Sequence, residues 1–131
     1  MPLEPERRDF VRVAADISVR YRFRSPRSSA AVTDKILTGA TTNLSGGGLL
    51  LRGPLPEIAI VTELLTGKAM LDVELLLPGD AREIRAKARC AWVETVDEET
   101  MRCHLGLGFT EIAAEDKERI FRYVIRVQMP V

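Results

Sequence analysis

From Ile17 onward the chain alternates apolar and polar residues, and a period of two confines such segments to half-buried strands. Ile17, Val19, Tyr21 and Phe23 share one phase, while Ser18, Arg20, Arg22 and Arg24 hold the other. Leu71, Val73, Leu75 and Leu77 alternate with Asp72, Glu74 and Leu76, and Pro78, Gly79 and Asp80 then make a turn. Ile84, Ala86, Ala88, Cys90 and Trp92 alternate with Arg85, Lys87 and Arg89. Met101, Cys103, Leu105, Leu107 and Phe109 alternate with Arg102, His104, Gly106 and Gly108. A further strand is expected at Ile36 to Thr42; Asn43 to Gly48 breaks it, and Leu49 to Leu51 resumes the extended run. About six evenly spaced strands with turns between them predict an all-β fold, a small closed or sandwich-like barrel.

The period changes at the end. In Ala114 to Gln128, Ile120, Val124 and Val127 recur at helical spacing, with Phe121 and Ile125 widening the stripe. Glu115 and Asp116 occupy the first turn, where negative charge suits the helix dipole. A single amphipathic helix after a β body is expected to lie across an open end or edge of the barrel. Glu57 to Thr66 fits either an extra strand or a short helix. Residues 1–14, with Pro2 and Pro5 and no sustained period, read as a flexible arm, and 15–131 as one barrel domain with its helix. A chain of 131 residues supports a single core.

The formal net charge is zero, so no global field draws the chain to nucleic acid or an anionic membrane. Aromatic residues make up only 5%, which argues against a single-stranded nucleic-acid groove, where bases stack on aromatics. The apolar runs near Ile58–Val61 and Leu75–Leu77 are too short to span a bilayer. No secretory leader is visible. Cys90 and Cys103 make neither a disulfide framework nor a metal site and are expected to be reduced thiols of a cytoplasmic protein. No nucleophile–base pairing or phosphate-binding loop marks an enzyme, and no catalytic or metal-binding residue is assigned. His104 falls on a polar face and reads as a surface or structural residue, Trp92 as a core or barrel-rim aromatic, and Asp72 and Glu74 as a solvated face. Arg20, Arg22 and Arg24 fit either an extension of a binding surface or a solvated edge.

Two clusters carry chemistry. Residues 1–27 hold seven arginines against four acids, and Arg7, Arg8 and Arg12 stand together as R-R-D-F-V-R. The guanidinium fork matches a phosphate, or the O6/N7 edge of guanine, in bidentate fashion. The second cluster is N-L-S-G-G-G, Asn43 to Gly48. Asn43 and Ser45 supply short polar side chains, and the glycines permit positive φ and close approach to the backbone. R-x-x-x-R (Arg8 to Arg12), an alternating strand, and then N-x-S-x-x-G (Asn43 to Gly48) resembles the PilZ domain family. So do the late G-x-G-F stretch (Gly106 to Phe109) and the closing helix.

The resemblance implies a six-stranded antiparallel barrel with a C-terminal helix, and a receptor for the bacterial second messenger cyclic di-GMP that needs no cofactor. It implies that Arg8 and Arg12 grip guanine and phosphate, that Arg7 adds a contact or stacking face, and that Asn43 bonds a guanine edge. Ser45 would bond a phosphate or base, and Gly48 would keep the surface low beneath the ligand. One ligand or a stacked pair fits this motif. Binding would change the conformation and signal to a downstream protein, as a stand-alone receptor without membrane insertion. The alternative is a PilZ-like interaction module that binds no nucleotide. Contact between two copies is expected at Ile58 to Leu65 and on the helix face.

Overall fold

Burial follows the period-two pattern through β1 (Ile17–Arg24). Ile17, Val19, Tyr21 and Phe23 are buried, and the residues between them face outward. The fold is described here for residues 17–26, 30–41 and 43–128, from a computed structural model. Six strands form the wall: β1, β2 (Leu37–Thr41), β4 (Gly48–Pro54), β5 (Met70–Leu75), β6 (Ile84–Asp97) and β7 (Arg102–Ile112). Their order is β2-β1-β5-β6-β7-β4, all pairings are antiparallel, and Ala40 opposite Arg52 joins β4 back to β2. This closes the barrel. The two-residue β3 (Leu44–Ser45) folds onto β4 as a short hairpin.

The inward residues form one continuous core. Tyr21 meets Phe23 edge to face at 5.8 Å between ring centroids, and its hydroxyl donates to the Pro54 carbonyl. Burial pushes the Tyr21 phenol well above its ordinary pKa. A short helix α1 (Ala30–Thr33) precedes β2. The ambiguous segment proves to be helical: α2 (Ile60–Leu65) puts Ile60 and Leu64, one turn apart, into the core. The barrel thus takes up Ile60 and Leu64 from the segment where contact between copies is expected, while Ile58 and Val61 are half-buried and Leu65 is largely exposed.

The closing helix α3 spans Ala114–Gln128 and meets the barrel at β3. Ile120 and Tyr123 are buried, with Asp116, Arg119 and Val124 half-buried beside them. The expected apolar stripe is therefore rotated. Phe121 is 59% exposed, and Ile125 and Val127 also face solvent, because Arg119 and Tyr123 take the barrel side. Of the two positions expected for Trp92, core or barrel rim, its 54% exposure excludes the core. A register shift between Cys90 and Trp92 reverses the phase of β6, leaving Trp92 opposite Gly106. The indole occupies the space of a missing side chain: a Cβ on Gly106 would lie 2.2 Å from Trp92 Cε2. Arg20, Arg22 and Arg24 do not mark an edge either, since β1 has β2 on one side and β5 on the other. Cys90 and Cys103 are both free thiols, opposite Leu107 and Val96 respectively. Among the described residues no helix is long and apolar enough to cross a membrane.

Candidate functional site

The turn between β3 and β4 is held from several directions. Leu44 is buried beneath it, and Leu44–Leu49 and Ser45–Gly48 are its strand pairs. Ser45 Oγ accepts the Gly47 amide at 3.3 Å and donates to the Gly48 carbonyl at 3.4 Å. The Phe109 amide donates to the Gly47 carbonyl at 2.9 Å, which ties the turn to β7. The Asn43 carbonyl accepts the Leu50 amide at 3.0 Å, and its own amide donates to Thr41 Oγ1 at 3.1 Å. The side chains of Asn43 and Ser45 are exposed on this fixed frame.

The glycines act by close approach. Among the described residues only Gly67 and Gly79 have positive φ among glycines, so Gly46, Gly47 and Gly48 do not use the left-handed freedom expected of them. Gly48 faces β7 instead, and a Cβ there would sit 1.9 Å from the Leu107 carbonyl oxygen. Its lack of a side chain lets β4 pair with β7.

Gly46 and Gly47 open onto a cleft of about 1040 Å³ on the outer face of the barrel, ample for a small-molecule ligand. Arg20 and Arg22 from β1, Asp72 and Glu74 from β5, Arg85 and Lys87 from β6, and Phe109, Thr110 and Glu111 from β7 line it. Ala113, Ala114 and Lys117 form the wall at the start of α3. Cations outnumber carboxylates, five to three. Asp72 accepts both Arg22, at 3.3 Å, and Arg24. Glu74 faces Arg20 at 3.7 Å and Arg85 at 3.5 Å. Lys87 faces Glu111 at 3.8 Å. Asp72 and Glu74 thus hold the β1 arginines in place rather than forming a solvated face alone. Exposed pairs of this kind contribute about 0–1 kcal/mol each, so an anionic ligand can compete for the same arginines.

Of the sequence-assigned residues, Asn43, Ser45 and Gly48 come together at this turn, while Arg7, Arg8 and Arg12 lie outside the described residues. Sequence reasoning missed Arg85, Lys87 and Lys117 as cleft residues. Their polar phase on β6 and α3 was legible, but the register that faces them toward the turn was not. His104 stands away from the cleft, its Nδ1 3.0 Å from Thr95 Oγ1. Among the described residues no group of three or more His, Cys, Asp or Glu side chains is arranged to hold a metal ion.

A closed six-stranded antiparallel barrel with a C-terminal helix beside an N-x-S-x-x-G turn defines a class of receptor and adaptor domains. The PilZ domain model matches residues 6–126, and the chain belongs to the PilZ domain family. A solved structure of the Bacillus subtilis inhibitor of motility (MotI/DgrA) is similar in fold, with a TM-score of 0.61 and 22% sequence identity. The match covers 90% of this chain and 49% of that one, so this chain spans about half the length of its structural relative. No curated protein matches the chain.

Proposed function

We propose that this chain is a cyclic di-GMP receptor and adaptor, whose ligand lies in the cleft beside the Asn43–Gly48 turn. One observation carries the reading. In a PilZ domain whose matched span includes Arg7, Arg8 and Arg12, the second motif opens onto a cleft with an excess of cations. Arg8 and Arg12 grip guanine and phosphate, Arg7 adds a stacking or ionic contact, and Asn43 and Ser45 bond the edges presented to the turn. Gly48 serves this site through the barrel, by allowing the β4–β7 pairing that positions the turn. The arm changes place on binding, and a downstream protein reads the difference. Both cysteines being free is in keeping with a cytoplasmic location.

A second reading has its own observation. Arg20, Arg22, Arg85 and Lys87 each already face a carboxylate of the cleft, as suits a PilZ-like module that binds protein partners and no nucleotide. Isothermal titration calorimetry with cyclic di-GMP, with GTP as control, separates the two. Saturable heat with the cyclic dinucleotide alone supports the receptor, and its stoichiometry distinguishes one ligand from a stacked pair. No heat from the folded protein favours the partner-binding module.

A further inference from the structure

Lys117 differs from the other cations of the cleft. Arg20, Arg22, Arg85 and Lys87 have carboxylates at 3.7, 3.3, 3.5 and 3.8 Å. No carboxylate among the described residues pairs with Lys117. Its stem instead crosses the turn of the second motif: a Cβ on Gly46 would lie 3.7 Å from Lys117 Cε and 3.8 Å from Cγ. The stem of this exposed side chain thus lies beside the turn, and Lys117 lines the cleft. The helix that carries it is itself fixed, with Ile120 buried in the core and Arg119 bonded to Asp80 across the fold. A cation with no acid to release among the described residues is suited to an incoming anion, because binding breaks none of the ion pairs described for the cleft. Lysine offers a compact point charge that accepts any approach of a phosphate oxygen.

We infer that Lys117 is a ligand-binding residue, donating its ammonium to a phosphodiester oxygen of the ligand over the Gly46–Gly47 turn. The inference rests on reading the cleft as a cyclic di-GMP site. It makes α3 a wall of that site and links the docking of the helix to occupancy of the cleft, since whatever displaces α3 also withdraws a ligand contact.

The test is titration calorimetry of the full chain and of Lys117→Met, Lys117→Arg and Arg8→Ala with cyclic di-GMP, repeated over a range of salt concentrations. Methionine keeps the stem on Gly46 and suits an exposed helical position. Lys117→Met should raise Kd about tenfold, as loss of a hydrogen bond to a charged group does. It should also flatten the dependence of Kd on salt, an effect that a purely structural role would not produce. Lys117→Arg should recover most of the affinity. An unchanged Kd and salt slope in Lys117→Met, with Arg8→Ala weakened, would overturn the role of Lys117 and leave the receptor reading standing. No binding by the parent chain would overturn both.

Discussion

Arg119 on α3 reaches Asp80, in the turn between β5 and β6, at 3.0 Å. The same guanidinium bonds Asp116 at 2.9 Å and the Arg82 carbonyl. One side chain thus pins the closing helix to a turn 39 positions earlier. The hydrogen bond to Asp116, helped by that to Asp80, holds the Arg119 pKa above its ordinary value.

Arg119→Ala should therefore lower stability by about 1–2 kcal/mol, the range for charge-assisted hydrogen bonds discounted for partial exposure. Urea unfolding monitored by circular dichroism measures it. Arg122→Ala removes only the exposed pair with Glu118 and should change stability by less than about 0.5 kcal/mol. Equal losses in the two variants would refute the clamp.

Gly48 and Gly47 are adjacent and should respond oppositely to alanine. A Cβ on Gly48 would collide with the Leu107 carbonyl, whereas one on Gly47 meets nothing nearer than Ser45 Oγ at 4.0 Å. Gly48→Ala should destabilise the barrel by about 1–3 kcal/mol or more through forced overpacking, and Gly47→Ala should leave the melting temperature nearly unchanged. Thermal unfolding of both variants decides the point.

On α3, Ile120 is buried and its neighbour Phe121 is 59% exposed. Ile120→Ala should cost about 2–4 kcal/mol, while Phe121→Ala, despite removing the larger side chain, should cost less than about 1 kcal/mol. The reverse order in denaturant titrations would show that the helix docks on its other face.

Burial pushes the Cys103 thiol up to about 11. The folded state then keeps a proton that the unfolded chain releases earlier. Stability from this group is complete below pH 9, where the unfolded thiol starts to ionise, and is lost as pH rises toward 11. At ~1.4 kcal/mol per pKa unit the loss is at most about 3 kcal/mol. Cys103→Ala should flatten the fall in stability between these pH values, with Cys90, Tyr21 and Tyr123, also raised by burial, contributing to what remains. Labelling with a thiol reagent at pH 8 should be slow at Cys103 in the native protein and fast after unfolding.

For the arm, Arg8→Ala and Arg12→Ala should each weaken cyclic di-GMP binding by about 1.5–3 kcal/mol, with Ser45→Ala weakening it less. Calorimetry on the variants reads this directly, and parent-like affinity in both arginine variants would remove them from the site.

Most of the strands and the closing helix were legible in the sequence, but not α1, nor whether Glu57 to Thr66 was strand or helix. Period-two alternation identified β1, β5, β6 and β7, and α3 runs over Ala114–Gln128 as its helical spacing indicates. The alternation also named the inward faces, because a half-buried strand has only two sides. Tertiary structure decided how those faces meet. Nothing in the local pattern says that Glu74 lies between Arg20 and Arg85, because register is a property of two strands rather than one. One of three register shifts along the β6–β7 pair, that between Cys90 and Trp92, turned Trp92 outward onto Gly106, and a bulge leaves no mark in the hydrophobic pattern until the partner strand is known. The apolar stripe of α3 was broad enough to dock at more than one rotation. Arg119, by reaching Asp80, accompanies the rotation that buries Ile120 and Tyr123 and sets Lys117 over the turn, a choice made by contacts distant in sequence.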